Sequence, residues 1–177
     1  MGLSGSKWIK YDPGRFKGIF KRGTTLFRGV AELNLDSKGR IAVPTRYREQ
    51  LNGRCGGQLI ITIDTAESCL AIYPLPEWEE LQPKLDRLSS INPMTARVKR
   101  QLMGNATDVD MDANGRLLIP TKLRKHANLK KKVVLIGQGK KFELWDEATW
   151  DERNTRWQEE AILDSDNLPE ELGTLDI

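Results

Sequence analysis

The sequence LNLDSKGRIAVPTRYREQL at residues 33–51 returns as VDMDANGRLLIPTKLRKHA at residues 109–127. The two stretches align without a gap, 76 positions apart. A second pair of blocks, CLAIYPLPEW at residues 69–78 and KFELWDEATW at residues 141–150, follows in the same order. Repetition of this kind indicates a duplicated structural unit, so we expect the chain to fold as two copies of it.

Each copy begins with the pattern of a β-hairpin. Residues 32–35 alternate polar and apolar side chains, as a half-buried strand does, and residues 36–39 (DSKG) have the composition of a tight turn. Residues 40–43 read as a second strand, which we expect to return alongside the first. Pro44 removes a backbone donor and ends this strand, and Thr45 is expected to cap the short basic helix that follows.

A second hairpin is predicted later in each copy. In the first copy its strands are residues 58–64 and 69–73, and in the second copy residues 137–139 (GQG) are expected to lie in a loop. One copy of roughly 50 residues is too small to bury a good core by itself. We therefore expect a mainly β fold with short helices (α+β), in which the two units pack together as a pseudo-symmetric dimer.

The remaining segments are expected to be helical or polar. Helices are predicted at residues 76–88, 93–102 and 147–163, and proline at positions 76 and 93 suits a helix start. The predicted division is a basic extension at 1–25, a first unit at 26–75, a helical connector at 76–103, a second unit at 104–147, a C-terminal helix at 148–163 and an acidic, disordered tail at 164–177.

Charge is distributed unevenly along the chain, whose formal net charge is +3. Residues 27–142 carry twenty Lys and Arg against twelve Asp and Glu, whereas residues 143–177 carry two against twelve. A basic body with an acidic tail is typical of nucleic-acid binders, although a charge run is also often a solvated surface. No apolar run approaches the roughly 18 residues that span a bilayer, and no secretory signal is visible, so a cytoplasmic protein is predicted.

Catalytic chemistry has little support in this sequence. His126 is the only histidine, and GQGKK at residues 137–141 lacks the spacing of a phosphate-binding loop. Cys55 and Cys69 match no close-set zinc pattern, so we expect free, buried thiols. No cluster of metal ligands stands out. The chain is therefore predicted not to be an enzyme and to need no cofactor or metal.

Several of these blocks resemble a known family. The turns DSKGR at 36–40 and DANGR at 112–116, with LFRG at 26–29, TRYREQL at 45–51 and AIYPLPEW at 71–78, are similar to the MraZ family. This resemblance implies two tandem AbrB-like, swapped-hairpin units that form a pseudo-dimeric β-barrel with flanking helices. It also implies ring-like homo-oligomers that bind short direct repeats in DNA upstream of the division and cell-wall gene cluster.

The N-terminal segment departs from the family pattern, because family members begin near the position of Leu26. One interpretation of residues 1–25 is an upstream start assignment, with Leu26 encoded by a non-AUG start codon. The other is a genuine basic arm that adds phosphate contacts. The intact mass of the native protein distinguishes the two interpretations.

The two turns are the candidate DNA-reading elements. Arg40 and Arg116 follow them directly, and a guanidinium group in this place can bond O6 and N7 of guanine in the major groove. A single turn of this kind is more often an ordinary turn with a local salt bridge, but its repetition in matching contexts favours a function. The other candidates are the turn-bracing Asp36, Gly39, Asp112 and Gly115, the turn-tip Lys38 and Asn114, and the helix residues Arg46, Arg48, Lys122 and Arg124.

Two further expectations concern the side chains at the turn tips and the tryptophans. Because Lys38 is replaced by Asn114 in the second copy, the two copies are expected to read DNA unequally. The aromatic residues Trp78, Trp145, Trp150 and Trp157 are expected to be packing anchors rather than platforms for stacked bases.

The function that the resemblance implies, and that the two turns favour, is sequence-specific DNA binding by a transcriptional regulator, in the form of a repressor. Its partners would be double-stranded DNA in the promoter of its own operon and further copies of itself, in the cytoplasm at the nucleoid. The alternative is an oligomeric scaffold or interaction module with incidental DNA affinity, because a fold alone does not specify a function. A steep salt dependence of DNA binding would favour the regulator.

Overall fold

The computed structural model describes residues 26–163 of the chain. The predicted basic extension at residues 1–25 and the predicted acidic tail at residues 164–177 lie outside the described residues. In chain order, the described part contains β1 (Phe27–Asn34), β2 (Arg40–Ala42), α1 (Thr45–Cys55), β3 (Gln58–Ile63), β4 (Leu70–Pro74), α2 (Leu75–Asp86), α3 (Pro93–Asn105), β5 (Thr107–Asp110), β6 (Arg116–Leu118), α4 (Thr121–His126), β7 (Lys132–Gly139), β8 (Lys141–Asp146) and α5 (Glu147–Leu163).

The strands form two antiparallel sheets. Six strands make a large sheet in the order β1-β7-β8-β4-β3-β5, and β2 and β6 pair with each other in a separate ribbon. Strands β4 and β8, which are equivalent in the two copies, meet at the centre with Leu70 opposite Leu144. Read from either end, the large sheet therefore presents equivalent strands in the same order, and the sequence repeat becomes a pseudo-twofold arrangement.

The predicted hairpin between residues 32–35 and 40–43 is wrong, because its two strands belong to different sheets. Strand β1 pairs with β7 of the other copy along its whole length, from Phe27 opposite Gly139 to Asn34 opposite Lys132. Strand β5 pairs likewise with β3. The physical reason is that the backbone N–H and C=O groups of β1 need hydrogen-bond partners. The three-residue β2 offers too few of them for the eight residues of β1, whereas β7 matches β1 in length.

The ladders do not close into a barrel within residues 26–163. Strands β1 and β5 are the two edges of the large sheet, and the β2/β6 ribbon pairs with neither of them. Pro44 and Pro120 lie within two residues of the ends of β2 and β6, and each removes a backbone donor that an extended ladder would need. The expected β-barrel is therefore corrected to a large open sheet with a separate ribbon.

The main core lies between the inner face of the large sheet and a layer formed by the ribbon, α1 and α4. Ile41 and Leu117 from the ribbon are buried there, with Leu144 from the sheet. The rings of Phe27 and Phe142 meet with their centroids 4.1 Å apart. Burial of an aliphatic or aromatic side chain of this size stabilises the fold by about 1.5–3 kcal/mol. Much of this core joins residues of different copies, so neither copy has a separate core.

The outer face of the large sheet is covered by helices at both ends. Around Trp78, α2 and α3 pack on β3, and around Trp145, α5 packs on β7 and β8. The Tyr73–Trp78 pair, with ring centroids 5.6 Å apart, is matched in the second copy by Trp145–Trp150 at 5.7 Å. The prediction that the aromatic residues are packing anchors is confirmed.

Local structure differs from expectation at three places. Thr45 is the first residue of α1 and not its cap, because Pro44 occupies the N-cap position and no side chain bonds the free N–H groups. The predicted short basic helix continues to Cys55, where Gly56 ends it in the left-handed conformation, with φ +61°. Residues 137–139 extend β7 instead of forming a loop, since β1 provides hydrogen-bond partners along them.

Candidate nucleic-acid interface

The β2/β6 ribbon has one buried face and one outward face. Arg40 lies opposite Leu118, Ile41 opposite Leu117, and Ala42 opposite Arg116. Side chains alternate between the faces of a strand, so the burial of the central pair directs the two outer pairs away from the core. The outward face therefore carries two arginines and two apolar residues, with each arginine directly across from an apolar side chain.

The first turn is built around the carboxylate of Asp36. Its Oδ1 accepts the backbone N–H groups of Lys38 and Arg40, both at 2.9 Å, and its Oδ2 accepts Nε of Arg40 at 2.8 Å. A backbone hydrogen bond from Gly39 N to the carbonyl oxygen of Asp36, at 2.9 Å, closes the turn. Gly39 has φ +80°, a conformation that other residues adopt only with strain.

The second turn repeats these contacts almost atom for atom. Asp112 Oδ1 accepts the backbone N–H groups of Asn114 and Arg116 at 2.9 Å, and Oδ2 accepts Nε of Arg116 at 2.9 Å. Gly115 has φ +71° and donates its N–H to the carbonyl oxygen of Asp112. Side-chain chemistry explains the choice of residues, because aspartate can accept several N–H groups ahead of it and glycine tolerates positive φ.

These bonds keep both carboxylates ionised. The backbone N–H of Arg40, and then its guanidinium group, lower the pKa of Asp36 to about 2. The pKa of Asp112 is also lowered, chiefly by the backbone N–H of Arg116. Each turn therefore holds a fixed negative charge that orients the arginine beside it.

The bond to aspartate leaves part of each guanidinium group available. In Arg40, Nε and Nη2 both contact Oδ2 of Asp36, the latter at 2.7 Å. The side chain of Arg40 remains 26% exposed and that of Arg116 remains 35% exposed. Five N–H donors are present in a guanidinium group, so the outer Nη edge can still present a pair of donors to two acceptors.

The turn tips carry different side chains in the two copies. Lys38 and Asn114 are both exposed, and their backbone N–H groups are used inside the turns while their side chains extend outward. One tip therefore adds a positive charge and the other a neutral amide. That the two copies read DNA unequally stays a prediction.

Arg48 and Arg124 are directed to the opposite copy's turn. Arg48 donates Nε to the carbonyl oxygen of Val43 at 2.6 Å, and Arg124 donates Nε to that of Ile119 at 3.0 Å. A Cβ added to Gly115 would lie 2.3 Å from Nε of Arg48. One added to Gly39 would lie 2.5 Å from Cζ of Arg124. Both arginines are half-buried and engaged within the protein.

Arg46 and Lys122, the other two predicted helix contacts, lie at the surface. Arg46 donates Nη2 to the carbonyl oxygen of Val30 at 3.2 Å, and its Cζ lies 4.7 Å from the centroid of the Tyr47 ring. Lys122 is exposed near the start of α4. Neither residue contacts the aspartates of the turns, so the structure brings together Asp36 with Arg40 and Asp112 with Arg116 but leaves these two cations apart from them.

Leu118 and Ala42 were missed as site residues from the sequence. Leu118 is 52% exposed although it is a large apolar residue, and it shares the outward face of the ribbon with the arginines. The alternation of residues 40–42 and 116–118 was a signal that could have placed both on that face.

The fold also brings together one group of potential metal ligands that are far apart in the sequence. Oxygen and sulfur atoms of Asp64, Cys69 and Glu143 lie within 4.8 Å of one another. The ammonium group of Lys141 lies among them, 3.5 Å from Asp64 Oδ2 and 3.3 Å from Glu143 Oε1. Burial raises the pKa of the Cys69 thiol, which favours its protonated form. Because Lys141 already supplies the positive charge, no metal is assigned here.

No helix in the described part of the chain is both long enough and apolar enough to cross a membrane.

The duplicated sheet and the arginine-bearing ribbon place the chain in the class of internally repeated β proteins that expose a two-stranded ribbon. Two-stranded ribbons with an outward face occur among the proteins that read DNA with β-strands. The family model that matches the chain is that of the MraZ protein, described as antitoxin-like, and it matches twice, over residues 26–101 and 102–167. The chain belongs to the MraZ family.

Individual relatives agree with this assignment. The chain is 51% identical over 150 residues to a protein of Halorhodospira halophila named Transcriptional regulator MraZ, and the alignment covers 85% of this chain and 99% of the relative. A protein of that name from Pectobacterium carotovorum is 61% identical over 125 residues, which cover 71% of this chain and 82% of the relative. One from Methylococcus capsulatus is 50% identical over 151 residues, covering 85% and 99%. The family is one of regulators and not of enzymes.

Proposed function

We propose that the chain is a sequence-specific DNA-binding transcriptional regulator that acts at direct repeats in the promoter of the division and cell-wall gene cluster, its own gene included, as a repressor. The family assignment and the names of the relatives support regulation of transcription. The observation that carries the proposal is the outward face of the β2/β6 ribbon, with its two aspartate-braced arginines.

The ribbon suits the major groove of B-form DNA. That groove admits a two-stranded ribbon, and an arginine can bond O6 and N7 of a guanine with two parallel donors. Arg40 and Arg116 would each supply that pair of donors. Leu118 and Ala42 would contact the 5-methyl groups of thymines, the apolar feature of the same groove.

Other cations would fix the position of the protein on the duplex. Lys38, Arg46 and Lys122 are exposed on the turns and helices beside the ribbon. Contacts of such residues with phosphates carry no sequence information but supply much of the affinity. The basic balance of residues 27–142 also favours an approach to DNA.

Self-association is the second part of the proposal. A single ribbon makes few base contacts, so one copy would bind weakly. A homo-oligomer, in the form of a ring with an AbrB-like, swapped-hairpin arrangement in each subunit, would place several ribbons against successive repeats and raise the avidity by about a hundredfold or more. In the cell this assembly would lie on the nucleoid in the cytoplasm.

Fluorescence anisotropy tests the DNA-binding part. The chain is titrated onto its own upstream DNA and onto a scrambled duplex, across a series of salt concentrations. The variant Arg40→Ala/Arg116→Ala should lose the preference for the upstream DNA while keeping the oligomeric state. A matched control, Arg97→Ala/Arg100→Ala, removes the same charge from exposed positions on α3 and should keep that preference.

The alternative is an assembly module with incidental DNA affinity, and the observation in its favour is the exchange of strands between the two repeats of the chain. Equal affinity for the upstream and scrambled duplexes, or an unchanged preference in Arg40→Ala/Arg116→Ala, would support it. A pure scaffold has no need for two outward guanidinium groups, which is why the regulator is preferred.

A further inference from the structure

The two turns beside the ribbon are not completed by their own copies. The carbonyl oxygen of Gly115 accepts the backbone N–H of Val43 from the first copy at 2.9 Å. In the equivalent contact of the first turn, the carbonyl oxygen of Gly39 accepts the backbone N–H of Ile119 from the second copy at 2.8 Å. Each glycine directly precedes the arginine of its turn, so each outward arginine is attached to backbone that the opposite copy holds.

One arginine from each copy supports this cross-connection. Val43 receives Nε of Arg48 on its carbonyl oxygen and holds Gly115 through its N–H. The side chain of Arg48 also lies where a Cβ of Gly115 would be, so it packs directly on the second turn. Arg124 makes the equivalent contacts through Ile119 to the first turn, and bonds Oγ1 of Thr121 with Nη2.

We propose that Arg48 and Arg124 are positioning residues, each of which sets the DNA-reading arginine of the other copy: Arg48 sets Arg116, and Arg124 sets Arg40. This inference rests on the proposed DNA-reading function of Arg40 and Arg116. It replaces the expectation that Arg48 and Arg124 contact DNA themselves.

Arginine is the side chain that this position requires. Its planar guanidinium group can lie flat against a glycine while Nε, within the same plane, bonds a carbonyl oxygen. Lysine keeps the positive charge but has no donor at the position of Nε and no plane to pack on the turn. A substitution by lysine should therefore fail to restore the position of the turn, whereas it would restore a simple phosphate contact.

The cross-connection has a consequence for recognition. Each turn has its own contacts to the other copy's helix, so each reading arginine is held in a fixed place relative to both copies. Their separation is then fixed by the fold, along two three-residue strands in register. This fixed spacing would let the ribbon discriminate the spacing of its two bases as well as their identity.

Amide hydrogen exchange of the full chain, without DNA, tests the positioning directly. In Arg48→Ala, we expect exchange at the Gly115 and Arg116 amides to accelerate by about tenfold or more, while the Gly39 and Arg40 amides are unchanged. Arg124→Ala should give the opposite pattern. Equal acceleration of both turns in either variant, or of neither, would overturn the proposal.

DNA binding supplies a second measurement that a purely structural role would not produce. Arg48→Ala should weaken binding to the upstream DNA by about tenfold, with the slope of log K against log salt unchanged, and Arg48→Lys should not restore it. A slope reduced by about 0.9 and restored by lysine would mean a phosphate contact and would overturn the proposal. If the wild-type chain shows no preference for the upstream DNA, the proposed function fails, and the exchange pattern still decides the positioning roles.

Discussion

Substitution of Gly39 by alanine tests the cross-connection through stability. Gly39 has φ +80°, and a Cβ there would lie 2.5 Å from Cζ and 2.8 Å from Nε of Arg124. Gly56 is the matched control, because it has φ +61° but no atom within 4 Å of an added Cβ. Both substitutions introduce the strain of a left-handed alanine, and only Gly39→Ala also displaces an arginine.

The expected magnitudes follow from these contacts. A non-glycine residue in the left-handed conformation costs about 1–2 kcal/mol, which is the whole cost expected for Gly56→Ala. In Gly39→Ala, Arg124 must move and release its 3.0 Å bond to Ile119, and a hydrogen bond from a charged group contributes about 1.5–3 kcal/mol. Because Arg124 is only half-buried, we take the lower end and expect a total loss of about 3 kcal/mol.

Urea unfolding followed by tryptophan fluorescence, at one fixed protein concentration, measures both variants. A double-mutant cycle with Arg124→Ala isolates the contact, since Gly39→Ala should cost about 1–2 kcal/mol once Arg124 is absent. Equal losses for Gly39→Ala and Gly56→Ala, or the same cost of Gly39→Ala with and without Arg124, would mean that Arg124 does not hold the first turn.

Three further results are expected. In a pH titration followed through its side-chain carbons, Asp36 should show a midpoint of about 2, and a midpoint near 3.8 would refute the bracing by Arg40. Because folding lowers this pKa, the contribution of Asp36 to stability is complete above its ordinary pKa of 3.8 and is lost as the pH falls through about 2. Replacement of thymine by uracil in the upstream DNA should weaken wild-type binding by roughly fourfold per contacted methyl group. The loss should be smaller in Leu118→Ala, because only the contact of Ala42 remains, and equal losses in both proteins would remove Leu118 from the reading face. Gly137→Ala should destabilise the fold by about 2 kcal/mol or more in urea unfolding, and a loss under about 0.5 kcal/mol would contradict this expectation. The added Cβ would lie 2.5 Å from the backbone nitrogen of Arg28, and that nitrogen cannot move without opening the β1–β7 ladder.

The duplication and most elements could be predicted from local sequence. Alternation, turn composition and proline placement carry their information within a few residues, so the strands, the two aspartate-centred turns and α5 (Glu147–Leu163) lie where the sequence indicated. The fold class follows from the same features, because two units too small for separate cores must share one.

Strand partners could not be predicted in this way. An alternating strand such as β1 carries no local signal of which edge it joins, and the nearest strand in sequence was the natural choice. The structure instead pairs β1 with β7, where the partner matches it in length. The same limitation applies to residues 137–139, for which local sequence predicts a loop, because their partner lies more than a hundred residues earlier in the chain.

In the candidate site, contacts within one copy could be predicted from the sequence, and contacts between the copies could not. The bonds from Asp36 to Arg40 join residues four positions apart and were visible as a motif. The contacts of Arg48 with Gly115 and of Arg124 with Gly39 join different copies, so the basic helices indicated only charge near DNA. The composition of a helix does not reveal which carbonyl group its arginine bonds.

The most direct test of the account is a cycle that combines a protein change with a DNA change. Guanines of the upstream repeats are replaced by 7-deazaguanine, which lacks the N7 acceptor, and anisotropy is measured for the wild-type chain and for Arg40→Ala/Arg116→Ala. We expect the base change to weaken wild-type binding by about tenfold and to leave the variant unaffected, because the variant already lacks the same hydrogen bonds. Equal losses in both proteins would mean that Arg40 and Arg116 do not read these guanines, and would contradict the central claim.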